Sequence, residues 1–182
     1  MRIGVFVGSF DPVHMGHTAI MNYLVNEKIV DKVLVIPTGN YWEKQNLTAL
    51  KKRLDMLDLI KTDKIMIDKE YNHCEYTYQI LDGLEKENRV DEYYLVMGVD
   101  NFEKICLWKN YLDILKRGVI VIRRGIKKIV SGNERIIFVN KDFGEVSSTM
   151  IREKIHDGKY LEIDGFLDKK VLEYIIEMNL YK

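Results

Sequence analysis

A chain of 182 residues, 47% hydrophobic and 31% charged, is about one domain long at roughly 150 residues per domain, and it buries enough apolar surface to fold without a disulfide or a structural metal. Two prolines and twelve scattered glycines exclude a collagenous, low-complexity or disordered chain. The 28 basic residues cancel the 28 acidic ones, which removes the bulk attraction that a non-specific nucleic-acid binder or a polybasic membrane protein relies on, so neither nucleic acid nor a membrane is an expected partner.

An apolar run from Ile3 to Val7 ends at Gly8, and Ile20 and Leu24 follow at helical spacing after Gly16: a strand, a turn and a helix. Lys32 to Ile36 repeats the strand pattern up to Pro37, while Thr38 to Leu47, polar and aromatic without periodicity, reads as a loop. From Thr48 onward Leu50, Leu54, Leu57 and Ile60 recur at the spacing of an amphipathic helix. Lys64 to Ile67 supplies a third strand. Thr77 to Asn88 predicts a helix, Tyr93 to Met97 a strand ending at Gly98, Trp108 to Lys116 a helix, and Val119 to Ile122 and Arg135 to Val139 two further strands. A helix after Ser147 and one from about Asp168, with Val171, Leu172, Ile175 and Ile176 as its apolar stripe, complete the pattern. Strands that are continuously apolar and alternate with helices are covered on both faces. The expected fold is α/β: a Rossmann-like, doubly wound parallel sheet with helices on both faces, forming a single domain over residues 1–182, since no linker, repeat or composition shift divides it.

Cys74 and Cys106 lie far apart, form no CxxC pair and are too few for a disulfide framework or a four-ligand zinc site; buried or inert thiols are expected. No apolar stretch approaches the ~20 residues needed to span a bilayer, and MRIGVFVGSF carries no signal-peptide core, so the expected compartment is the cytoplasm.

In an open parallel sheet, ligands bind beyond the carboxyl ends of the strands, first of all at the first strand-to-helix turn. That turn reads Gly8-Ser9-Phe10-Asp11-Pro12-Val13-His14-Met15-Gly16-His17. It is neither GxGxxG nor a P-loop, so a dehydrogenase or a P-loop NTPase is disfavoured. It offers His14 and His17 three positions apart, on one face if both lie in the helical turn, near a helix amino terminus that attracts anions, with Gly16 free to let a phosphate or a nucleobase approach the backbone. Two solvated surface histidines would give the same spacing, and half of a metal site would too, although neither His73 nor His156 stands at ligand spacing from the pair.

A second candidate, Val146-Ser147-Ser148-Thr149-Met150-Ile151-Arg152, opens the penultimate helix. Ordinary capping accounts for one hydroxyl there, not three, and no Glu or Gln completes a capping box. Arg152 near a helix amino terminus is disfavoured by the helix dipole, a conflict that a bound polyphosphate would remove.

GSFDPVHMGH together with SSTMIR resembles the nucleotidylyltransferase superfamily, and Gly98-Val99-Asp100-Asn101 followed by Trp108 is similar to its nicotinate-nucleotide adenylyltransferase branch; Tyr76-Thr77-Tyr78 and the stretch from Tyr174 to Tyr181 extend the resemblance over nearly the whole chain. The resemblance implies adenylyl transfer from ATP to nicotinic acid mononucleotide, releasing pyrophosphate, with Mg²⁺ bound mainly through the ATP phosphates and no protein metal ligand. It implies that His14, His17 and Arg152 act on the phosphates, that Gly8, Ser9, Phe10, Gly16, Lys44, Arg123, Ser148 and Thr149 bind ATP, and that Thr77, Asp100 and Trp108 line the mononucleotide pocket, the indole stacking on the pyridine ring. It leaves a homo-oligomer open. An acceptor phosphate is already ionised at pH 7, so positioning and charge neutralisation suffice and no covalent nucleophile is needed.

Simpler roles stand beside these. Asp100 with Glu103 is a good amino-terminal capping arrangement, Thr77 could cap its own helix, and Trp108, read as a helix start, could bury its ring in the core. Three positions depart from the family pattern: Val7 replaces a glycine, Tyr41-Trp42-Glu43-Lys44 replaces Pro-Pro-His-Lys, and Arg124 replaces a proline. Rival readings are a transferase using nicotinamide mononucleotide, phosphopantetheine or a small phosphorylated alcohol, and a nucleotide sensor without catalysis.

Overall fold

Every strand expected from the apolar runs forms, and all pair in parallel. The structure, a computed structural model, describes residues 1–39, 47–123 and 134–182. In chain order the elements are β1 (Arg2–Gly8), α1 (Met15–Asn26), β2 (Lys32–Pro37), α2 (Leu50–Asp58), β3 (Ile65–Ile67), α3 (Thr77–Glu87), β4 (Glu92–Gly98), α4 (Val99–Phe102), α5 (Tyr111–Arg117), β5 (Val119–Arg123), β6 (Ile136–Asn140), α6 (Ser148–His156) and α7 (Lys169–Glu177). The six strands form one sheet in the order β3-β2-β1-β4-β5-β6. Strand order reverses direction between β1 and β4, and the crevice beyond their carboxyl ends is where an open α/β sheet receives its ligand.

Because side chains alternate across a strand, each strand feeds two cores. Val33, Val35, Tyr94, Val96, Ile120 and Ile122 face one layer, built with α1, α2, α6 and α7 through Met21, Leu24, Met56, Leu57, Ile151 and Ile175. Ile3, Val5, Leu34, Leu95, Val119 and Val121 face the other, built with α3 and α5 through Ile80, Leu81, Leu84 and Ile114. Burial on both faces explains why the strands read as unbroken apolar runs.

Two expectations need correction. The helix read from Trp108 begins at Tyr111, because Asn110 takes a left-handed conformation, φ +55°, which an α-helix cannot continue through. Ahead of it the chain makes the four-residue helix α4 and a single 3₁₀ turn over Ile105–Leu107, after which Trp108 is extended. Asp100 is therefore no cap: Gly98 is the N-cap of α4 and Asp100 lies in its first turn. The second correction concerns the thiols. Cys74 is half-buried, whereas Cys106 is exposed on the 3₁₀ turn.

Candidate active site

The turn after β1 is bent by Phe10, whose φ of +49° is rare for a residue with a bulky side chain and costs about 1 kcal/mol or more. Ring burial offsets that cost. Phe10 is 2% exposed, and its ring packs edge-on against Phe6 at 5.4 Å and against His17 at 5.0 Å. His14 is the N-cap of α1, and its backbone N–H donates to Nδ1 of His17 at 3.3 Å. Accepting at Nδ1 leaves the proton of a neutral imidazole on Nε2. The two rings stack at 3.7 Å, although His14, as the extended N-cap, stands just outside the helix and the pair does not share a helical face. Gly16 serves this pair: a Cβ there would lie 3.1 Å from the His14 ring.

The three hydroxyls opening α6 have separate tasks. Ser147 is the N-cap, its oxygen accepting from the Met150 N–H at 3.2 Å. Ser148 donates to the Pro12 carbonyl at 2.9 Å. Thr149 accepts from Nη2 of Arg152 at 3.4 Å, while Nη1 of Arg152 donates to the Asp11 carbonyl at 2.7 Å. Arg152 lies a full turn into α6, but a helical side chain points back toward the amino terminus, which returns its charge to the first turn. The two distant sequence motifs are thus hydrogen-bonded to each other.

Between them opens a cleft of about 810 Å³, whose lining includes the polar Ser9, His14, His17, Thr149 and Arg152 and the apolar Ile20, Ile122, Phe143 and Val146. Gly8, Phe10, Gly16 and Ser148 line it too. A second cleft of about 280 Å³ is lined by Thr77, Asn101 and Trp108 among others. The two share Phe6, Val7, Gly8, Ser9 and Leu47, so they meet over the carboxyl end of β1. Val7, where the sequence departs from a glycine, stands in that shared floor.

Thr77 is 3% exposed, one residue after the N-cap Tyr76, and so does not cap α3. Trp108 is half-buried at the second cleft, whereas Asp100 is exposed and Asn101 takes its place in the lining. Arg123, buried at the end of β5, holds its guanidinium 5.7 Å from the Phe138 ring centre. It lies beside Ile122 and outside the lining of the first cleft. Lys44, the altered stretch Tyr41-Trp42-Glu43, and Arg124 fall outside the described residues.

Three residues that support this site were not singled out from the sequence. Arg53 is wholly buried; its Nε donates to the Thr48 carbonyl at 2.8 Å and its Nη1 to the carbonyls of Ser9 and Thr38 at 2.8 and 2.9 Å. Burial pushes its pKa down, and the Asp11 carboxylate counters that. Asp11, 2% exposed, accepts from the Tyr181 hydroxyl at 2.6 Å and from the Thr48 N–H at 3.0 Å. Burial and the Asp11 charge push the Tyr181 hydroxyl far above its ordinary pKa. A cation inside the apolar stripe of α2, at Arg53, was the available signal.

A family model described as cytidylyltransferase-like matches residues 5–154. A probable nicotinate-nucleotide adenylyltransferase of Flavobacterium johnsoniae is 31% identical, covering 100% of both chains, and one from Borrelia garinii is 30% identical over 100% of this chain and 95% of that one. In fold, the chain is similar to the Plasmodium falciparum nicotinic acid mononucleotide adenylyltransferase complexed with NaAD, with a TM-score of 0.82 at 21% identity over 99% of this chain and 97% of that one.

Proposed function

The chain belongs to the cytidylyltransferase-like family and to its nicotinate-nucleotide adenylyltransferase branch, and on that premise we propose that its two abutting clefts hold ATP and nicotinic acid mononucleotide phosphate to phosphate. It transfers the adenylyl group of ATP to that mononucleotide, yielding deamido-NAD and pyrophosphate in NAD biosynthesis. An oxygen of the acceptor phosphate attacks the α-phosphorus; the bond to the oxygen bridging to the β-phosphate breaks, and its electron pair leaves on pyrophosphate. The attacking oxygen is already ionised, so the protein's work is alignment and neutralisation of the charge spread over the phosphates.

His14 and His17 meet the phosphates from α1, and Nε2–H of His17 is the donor directed to them. Arg152 meets them from α6, together with the Ser148 and Thr149 backbone N–H groups, which no intrahelical carbonyl reaches. Gly8, Ser9, Phe10 and Gly16 shape the floor under the triphosphate. Arg123, next to Ile122, belongs to the adenine end, and Lys44 is assigned to ATP binding as well. Trp108 stacks on the pyridine ring above Thr77, with Asn101 rather than Asp100 beside it. Mg²⁺ carried on the triphosphate supplies further neutralisation when bound. The cleft's His14, His17, Thr149 and Arg152 are donors suited to phosphate oxygens, and this set fits a metal carried on the nucleotide. Dependence on ATP and a phosphorylated acceptor supports a cytoplasmic location.

The observation that carries the reading is the joining of Arg152 and Ser148 to the loop that bears His14, at a cleft that opens directly into the one lined by Trp108. Incubation with ATP, Mg²⁺ and nicotinic acid mononucleotide should yield pyrophosphate and deamido-NAD in equal amounts. Turnover with nicotinamide mononucleotide or phosphopantetheine, and none with the nicotinate form, would overturn the acceptor assignment.

A further inference from the structure

The loop between β1 and α1 carries the proposed phosphate contacts, yet it is held by residues far away in the chain. Its Ser9 carbonyl accepts from Arg53 of α2, its Asp11 carbonyl from Arg152 of α6 and its Pro12 carbonyl from Ser148 of α6. Asp11 is the centre of this arrangement. One carboxylate oxygen accepts from the Thr48 N–H ahead of α2, the other from the Tyr181 hydroxyl in the segment after α7. Tyr181 reaches that place at some cost: its φ is +64°, left-handed for an aromatic residue. Leu180, buried and with its N–H bonded to the Ile175 carbonyl, anchors the segment in the core just before it. A strained backbone that aims one hydroxyl at the one carboxylate of the phosphate-binding loop is poorly explained by packing alone.

We propose that Tyr181 is a positioning residue for adenylyl transfer: by fixing the Asp11 side chain it fixes the Asp11 carbonyl, and through that carbonyl the guanidinium of Arg152 over the triphosphate. Tyr181 itself touches neither substrate. It acts on the ATP side alone, because Asp11 lines the first cleft and not the second. The proposal rests on the adenylyltransferase reading.

A matched control lies on the neighbouring helix, where the Tyr174 hydroxyl donates to Asp55 at 2.8 Å, away from the loop. Tyr181→Phe should lower kcat/KM for ATP by roughly tenfold to a hundredfold, the scale of loss when an aligned group is released, and leave KM for the mononucleotide unchanged. Tyr174→Phe should lower Tm to a similar degree and leave turnover within about twofold, as a change that only loosens packing does. In an Arg152→Ala background, Tyr181→Phe should cost little further activity, because the two act as one unit. Full multiplication of the two losses, or equal kinetics for the two tyrosine variants, would overturn the proposal. If the wild-type protein makes no dinucleotide from any acceptor, the functional reading fails by itself. The tether is then judged by affinity for a non-hydrolysable ATP analogue: weakening in Tyr181→Phe but not in Tyr174→Phe supports it, and equal affinity in both overturns it.

Discussion

At the residue scale the site depends on small spacings that chemistry enforces. Gly16 is the sharpest case, since a Cβ would sit 3.1 Å from the His14 ring, closer than carbon atoms comfortably pack, and the His17 ring is stacked on that imidazole at 3.7 Å. Gly16→Ala must therefore displace an imidazole by a few tenths of an ångström. Steady-state kinetics should show kcat down by about tenfold or more with the mononucleotide KM unchanged, as expected when a donor is moved off the transition state rather than off the bound substrate. Trp108→Ala should do the converse. A base stacked on an aromatic ring gains about 1–3 kcal/mol, so KM for nicotinic acid mononucleotide should rise roughly 5- to 150-fold while ATP-analogue affinity, measured calorimetrically, stays as it was. Equal weakening of both ligands would place the indole in the fold and not at the pyridine.

At the element scale, α2 does more than cover the sheet. Arg53 ties the loops after β1 and β2 to the entry of α2 through the Ser9, Thr38 and Thr48 carbonyls. Arg53→Met keeps most of the stem but strands three acceptors, at about 1 kcal/mol or more each, so chemical denaturation should show a loss of about 3 kcal/mol or more. The same helix is clipped to α7 by Tyr174 and Asp55. Burial and the bond to Asp55 raise the Tyr174 pKa to about 12 from 10.0, while that bond, with Lys51, lowers the carboxyl pKa of Asp55. A raised pKa means that the folded state holds a proton the unfolded chain has released, so the clip's contribution is full below pH 10 and is lost as pH rises toward about 12. On the acid side the contribution is present above 3.8, the ordinary value for Asp55, and fades as pH falls through the lowered one. The clip's own contribution should be constant between these limits, and Tyr174→Phe should shrink the alkaline fall in Tm without abolishing it, because Tyr71 and Tyr181 are raised as well. These ties were largely invisible in the sequence. Strands such as Val119 to Ile122 were legible because burial on both faces makes an unbroken apolar run, stripes such as Val171 with Ile175 because burial on one face imposes a period, and the two turn motifs because their residue types are unusual there. The segment from Gly98 to Asn110 was not, since a four-residue helix, one 3₁₀ turn and a left-handed Asn110 are too short to impose any period, and Asp100 with Glu103 imitates a cap. Nor does any local pattern encode that Tyr181 meets Asp11 across 170 positions.

At the scale of the whole molecule, a formal charge of zero offers no net charge to draw in a nucleotide, so on the proposed reading anion binding comes from the donors converged at the ends of α1 and α6. That convergence requires the sheet to be one body. The strand order places β1 and β4 side by side, and one core layer joins Leu24 and Met56 from the first half of the chain to Ile151 and Ile175 from the second. Neither half can bury its face without the other, from which we propose a single cooperative domain over residues 1–182. Far-ultraviolet dichroism and tryptophan fluorescence should then report one coincident thermal transition. A ligand that binds only the folded state stabilises it by about 2.7 kcal/mol at a hundredfold excess over Kd, which for a chain of this size raises Tm by roughly 5–11 °C. Mg²⁺-ATP should therefore move the whole transition by that amount without broadening it, since the groups proposed to grip the triphosphate come from α1 in one half and α6 in the other. Two resolved transitions, with only one displaced by nucleotide, would mean that the halves fold apart and that the cleft between them is assembled late.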